Sequence, residues 1–166
     1  MPNNDRLIEQ ALTDLQQGRM IIVQDSASRE NEGDLVMAAE HAQEKDVNFM
    51  ITHARGLLCM PMSAASFERL RIPMMVSHNR SKQHTPFGVS IGAAKGITTG
   101  ICAAERALTL RVAADPSSQS NDIVMPGHIF PLCAQSQGVL VRPGHTEASV
   151  DLMTLASLSP AAAICE

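Results

Sequence analysis

Short apolar runs recur along this chain at residues 20–23, 56–62, 128–134 and 161–165, each closed off by polar or Gly- and Pro-containing loops. Runs of four to seven apolar residues bounded by turn formers read as buried strands. Further short strands are expected at 35–39, 87–91 and 138–141. Between them the spacing changes. Leu7, Ile8, Ala11, Leu12 and Leu15 recur at helical intervals before Gly18, which predicts a helix over 4–17. Helices are also expected at 46–54 and 65–71, from Thr98 or Thr99 to about 114, and at 146–157 with Thr146 as N-cap. Strands alternating with helices imply an α/β or α+β domain. At 166 residues, with no repeat and no linker-like stretch, residues 1–166 are read as one domain.

Composition narrows the function classes. Apolar residues make up 45% of the chain and charged residues only 18%, so a packed core is expected rather than disorder. A net charge of −4 without a basic stripe argues against nucleic-acid binding. Apolar runs far below the roughly 18 residues that cross a bilayer argue against a membrane protein. The polar start, without a basic and apolar leader, argues against secretion. Cys59, Cys102, Cys133 and Cys165 lack zinc-site spacing and read as cytosolic thiols, at least three of them buried. A cytoplasmic protein is expected.

Chemistry concentrates in polar loops. The segment 25–34 (DSASRENEGD) follows a buried strand, and in an extended chain Glu30, Glu32 and Asp34 would project to one side. Three carboxylates together repel unless a cation or an arginine sits among them, and Mg²⁺ asks for only one or two protein carboxylates. Taken alone, a solvated acidic loop is the commoner reading. Arg142-Pro143-Gly144-His145-Thr146-Glu147 opens a helix, and a helix start beside an arginine suits a phosphate. His145 there is either a ligand or an ordinary residue of the capping region. A second PGH precedes a strand at His128, and GITTG (96–100) suits either an anion or tight packing. Together, the carboxylates, two histidines and a phosphate-type helix start suggest a metal-assisted site for a small anionic substrate.

RENEGD (29–34), GITTG (96–100), PGHIFPL (126–132), RPGHTEASVDL (142–152) and the final CE (165–166) occur in order with matched spacing. They closely resemble the 3,4-dihydroxy-2-butanone 4-phosphate synthase family of riboflavin biosynthesis, colinearly from about Leu7 onward. The resemblance implies an α+β fold of three layers with a mixed sheet. It also implies a homodimer and conversion of D-ribulose 5-phosphate to 3,4-dihydroxy-2-butanone 4-phosphate and formate. The implied cofactor is Mg²⁺ or Mn²⁺, two ions per site, with Glu30 bridging both ions and His145 binding one. Arg29, Glu30, Asp34, Thr99, Arg142, Pro143, Gly144, His145, Thr146 and Glu166 match substrate-contacting positions. His128 and Glu166 match catalytic ones, and Asp25, Glu32 and Cys59 match positions near the substrate that are expected to share in catalysis.

The family pattern is not complete. The acidic run before RENEGD keeps only Asp25, ahead of Ser26, Ala27 and Ser28. Met125 and Cys133 stand where arginines are usual, and Gly92 where an acid is usual. Family members also continue past the position of Glu166. A paralogue acting on a related phosphosugar, or a non-catalytic dimeric binding protein, therefore stands beside the synthase reading.

Overall fold

The computed structural model describes residues 4–166. Helix α1 (Asn4–Gln16) leads into a hairpin of β1 (Ile21–Gln24) and β2 (Gly33–Ala38). Helix α2 (Glu44–Phe49) runs on as one π-helical turn to Ala54, so the helix expected over 46–54 changes winding halfway. Strand β3 (Leu58–Met62), helix α3 (Ala64–Leu70), strand β4 (Ile91–Ala93), helix α4 (Ala103–Ala114), strand β5 (Ile123–Cys133), helix α5 (His145–Leu155) and strand β6 (Ala162–Cys165) complete it.

The six strands form one mixed sheet in the order β1-β2-β6-β3-β5-β4, in which only β3 and β5 run parallel. Alternation along the central strands assigns each side chain to a face. Leu58 and Met60 of β3, Met37 of β2 and Cys165 of β6 pack with Val47, Leu70 and Leu110 of α2, α3 and α4. Val36, Ala38, Cys59, Ala162 and Ile164 take the opposite side with Leu15 of α1 and Met153 of α5. The result is the three-layer α+β architecture expected. Methionine does much of the filling that aromatics usually do, since Met37, Met50, Met60, Met62 and Met153 are all fully buried.

Three elements differ from the reading of the sequence. Residues 138–140 form a 3₁₀ turn, because Asp151 accepts from the Val139 N–H and folds the segment onto α5. Around 87–91, Phe87 and Gly88 make only isolated bridges, and the strand is confined to 91–93. Helix α4 starts at Ala103, not at Thr98 or Thr99, since Glu105 draws Thr98 and Gly100 into a loop ahead of it.

Candidate active site

The segment 25–34 turns rather than running extended, and Asn31 at φ +57° breaks its alternation. Asp25 anchors the turn. Its carboxylate accepts from the N–H groups of Glu30 (2.9 Å) and Glu32 (3.0 Å) and from Arg29 Nη1 (3.0 Å). Partial burial pushes the Asp25 carboxyl up, but the Glu32 and Glu30 amides and the Arg29 guanidinium outweigh it and hold it at about 2. Arg29 also binds Glu30, which brings that carboxylate inward. Glu32 is left exposed, though its charge still acts on Asp34.

Asp34 enters β2 and shares the α5 face with Val36 and Ile164, only 1% exposed. Its two carboxylate oxygens are buried without a hydrogen-bond partner. Burial pushes its carboxyl up to about 6; the nearby His145 opposes this, and Glu166 and Glu30 add to it. His145, the first residue of α5, places Nδ1 3.6 Å from Glu30 Oε2 and 3.7 Å from Asp34 Oδ2, while its Nε2 is buried and unpartnered. Those gaps are too long for hydrogen bonds. Oxygen and imidazole donors gathered around unsatisfied space suit a hard divalent cation. Among the described residues, no three His, Cys, Asp or Glu side chains cage a metal unaided. Mg²⁺ asks for only one or two protein ligands, with water and substrate completing the set.

Gly144, not Thr146, is the N-cap of α5 and supplies no side-chain cap. Its missing side chain makes room. A Cβ there would lie 2.5 Å from Arg142 Nη1 and 2.9 Å from Arg29 Nη2, so two guanidinium groups converge at the helix start. Arg142 is held from behind by Glu147, fully buried, whose Oε2 accepts at 2.6 Å and whose Oε1 accepts from the Gln135 N–H. Two cations at a helix N-terminus make a cradle for a phosphate.

Register places Glu166 beside Asp34, one residue beyond the Leu35–Cys165 pair. Cys59 lies on the same face and donates its S–H to Glu166 Oε1 at 3.4 Å. Burial, followed by the Glu166 carboxylate, pushes the Cys59 thiol far up, so it acts as a donor and not as a thiolate. His128 lies two strands further, roughly 10 Å from Glu166 at ordinary strand spacing, with its buried Nδ1 against Gly100. Thr99 is exposed between residues pinned by Glu105. The GITTG loop is therefore not a vacant anion site, because Glu105 already occupies its N–H groups. Of the four thiols, Cys59 and Cys165 are buried, Cys133 is partly buried and Cys102 is exposed.

A narrow cleft of about 20 Å³ is lined by Arg29, Glu30, Thr85, Arg142, His145, Thr146, Ile164 and Glu166. A wider one of about 660 Å³, sharing Arg29, runs along Asp25, Ser26, Ser28, Lys82, Gln83 and Pro143. Another cleft, about 730 Å³, lies elsewhere, between the end of α1, residues 40–46 and α4, and holds none of the motif residues. Sequence reasoning missed Thr85, Lys82 and Gln83, since residues 77–85 carry no signal beyond polarity. Glu147 lies in the first turn of α5 and is paired with Arg142.

The family model for 3,4-dihydroxy-2-butanone 4-phosphate synthase matches residues 9–166. The chain is 55% identical over 159 residues to 3,4-dihydroxy-2-butanone 4-phosphate synthase of Neisseria meningitidis and 54% identical to that of Pseudomonas aeruginosa. Each comparison covers 96% of this chain but 44% of the relative, so the chain spans less than half the length of these curated relatives. Among solved structures, a two-domain synthase from A. baumannii superposes with a TM-score of 0.92 at 50% identity, over 96% of this chain and 47% of that one. A synthase in complex with two magnesium ions gives a TM-score of 0.94 at 41% identity, over 96% and 74%. No described helix is long and apolar enough to cross a membrane.

Proposed function

Because this chain belongs to the 3,4-dihydroxy-2-butanone 4-phosphate synthase family, we propose that it converts D-ribulose 5-phosphate to 3,4-dihydroxy-2-butanone 4-phosphate and formate in riboflavin biosynthesis. The observation that carries this is the pairing of two recognition elements at one helix start. Arg29 and Arg142 converge on Gly144 to receive a phosphate, and one residue later His145 faces Glu30 and Asp34. Relatives bearing the synthase name support this reading over an altered paralogue or a binding protein.

The reaction splits one five-carbon sugar phosphate into a four-carbon phosphate and formate, and the water lost in its dehydration step is taken up again. Each step develops negative charge on a substrate oxygen. Glu30 and His145 would hold divalent metal, Mg²⁺ or Mn²⁺ and two ions per site, to stabilise that charge. Arg29, Arg142 and the N–H groups that open α5 bind and orient the phosphate, with Pro143, Gly144 and Thr146 shaping its seat. Asp34 and Glu166, adjacent across β2 and β6, are placed to take and return protons. Cys59 orients Glu166 through its S–H. His128, Asp25, Glu32 and Thr99 serve around that centre, with Asp25 holding the turn that presents Glu30. We place residues 1–166 in one domain that works as a cytoplasmic homodimer. The test is formate release from ribulose 5-phosphate, measured with Mg²⁺ and again with chelator. Metal-dependent formate supports the reading; metal-independent turnover, or no formate from folded protein, overturns it.

A further inference from the structure

Thr85 lines the narrow cleft with Arg29, Arg142 and His145, although it belongs to none of the sequence motifs. Its position is built, not incidental. Asn79 Nδ2 donates to the Thr85 carbonyl at 2.9 Å and the Phe87 N–H donates to it at 3.0 Å, so the backbone is fixed from both sides. One and three residues on, the segment is fastened to β5, where Cys133 N–H donates to the Pro86 carbonyl and Gly88 N–H to that of Pro131. The Thr85 hydroxyl thus sits on a tethered loop and not on a free one.

The bonding of that hydroxyl fixes its polarity. Arg142 Nη2 reaches Thr85 Oγ1 at 3.4 Å and the Gln83 carbonyl at 3.3 Å. A guanidinium only donates, so Oγ1 accepts from it, and the hydroxyl proton is left to donate to something else. No protein acceptor takes it among the described residues. The cleft that Thr85 faces has room for about one water-sized atom, which is the size of one phosphate oxygen.

Building on the reading of this site as a sugar-phosphate site, we propose that Thr85 is a substrate-binding residue whose hydroxyl donates to the phosphate group held by Arg142. It adds a neutral donor to the two guanidiniums and the helix start. A hydroxyl fixed beside a cation discriminates by geometry as well as by charge, and a neutral ligand lacking an acceptor at that point leaves its proton unpaired.

Thr85→Val keeps the shape and removes the proton, and Thr85→Ser restores it. Calorimetric titration with inorganic phosphate reads the site without any turnover. The expected result is phosphate affinity about five- to tenfold weaker in T85V and near wild type in T85S, with melting temperatures unchanged. In turnover, the KM for ribulose 5-phosphate should rise in T85V while kcat falls less. Equal phosphate affinity in wild type and T85V overturns the assignment. So does a loss in T85V that T85S fails to restore, which would mark a packing role. Failure of the wild type to release formate bears on the synthase reading alone, because the phosphate titration still decides the role of Thr85.

Discussion

Arg142 donates from Nη1 to Oε2 of Glu147 at 2.6 Å, and Glu147 is wholly buried beneath it. The pair makes Arg142 a residue of the fold as well as of the site. Removing one partner of a buried pair strands the other charge, at a cost of about 3–5 kcal/mol where desolvation is complete. Arg142→Ala should therefore lower thermal stability as well as raise the KM. Arg142→Lys should keep more of both, though it loses the fork that reaches Glu147 and the 83–85 loop together. Thermal melts beside steady-state kinetics would check this; R142A with an unchanged melting temperature would show the pair to be dispensable to folding.

Gly144 offers the converse separation. An added Cβ would meet the ends of Arg142, Arg29 and Glu147, at 2.5, 2.9 and 3.1 Å, and these are side-chain tips rather than backbone. The backbone need not move, but the guanidiniums must leave the helix start, and Arg142 must shift against the buried Glu147. Gly144→Ala should lose less stability than Arg142→Ala, because both charges of the buried pair remain to meet each other after the shift. Its phosphate affinity should nevertheless fall by about tenfold or more. A large loss of stability with intact phosphate binding would mean that Gly144 serves packing and not anion binding.

How far the sequence disclosed this molecule follows from what each signal depends on. The central strands were legible because their apolar runs are local, and α1 because its period is strict. Residues 138–140 were not, since Asp151, thirteen residues past Gly138, decides their conformation. Thr98 and Thr146 look like caps by type, yet Glu105 captures one, and Gly144 takes the other's place because two arginines need the space. Glu30, Asp34 and His145 carried a recognisable motif pattern, and the structure gathers them. Thr85 had no pattern to show; it reaches the cleft through pairing of its loop with β5, a tertiary fact.

Glu105 gives a pH dependence whose sign can be stated. The Thr98 N–H, then the Thr98 hydroxyl and the Gly100 N–H, favour its charged form and hold its carboxyl below the usual range, against a smaller effect of burial. A depressed acid contributes stability that is present above its ordinary value of 4.5 and is lost as the pH falls through the depressed folded value. Wild type should therefore out-melt Glu105→Gln at pH 7, and the gap should close as the pH drops below about 4.5. A gap that persists unchanged at pH 3 would show that the loop is held by contacts other than the carboxylate charge.

Asp34 is the point at which stability and chemistry oppose each other. Its two carboxylate oxygens are buried with no hydrogen bond, near Glu30 and Glu166, with only the imidazole of His145 offsetting them. A buried carboxylate in such company raises the free energy of the folded state at neutral pH, and a bound cation would relieve it. In chelator at pH 7.5, Asp34→Asn should thus melt above wild type, while Mg²⁺ should raise the melting temperature of wild type more than that of the variant. Glu30→Ala and His145→Ala should weaken Mn²⁺ binding, read directly by calorimetry, by at least about tenfold and abolish formate release. D34N should lose turnover as well, despite its higher stability, as groups kept strained for function do. A D34N protein that melts lower than wild type in chelator would mean that His145 already satisfies Asp34 without metal. In that case the cluster would be a structural ion pair, and the cation would have to bind elsewhere.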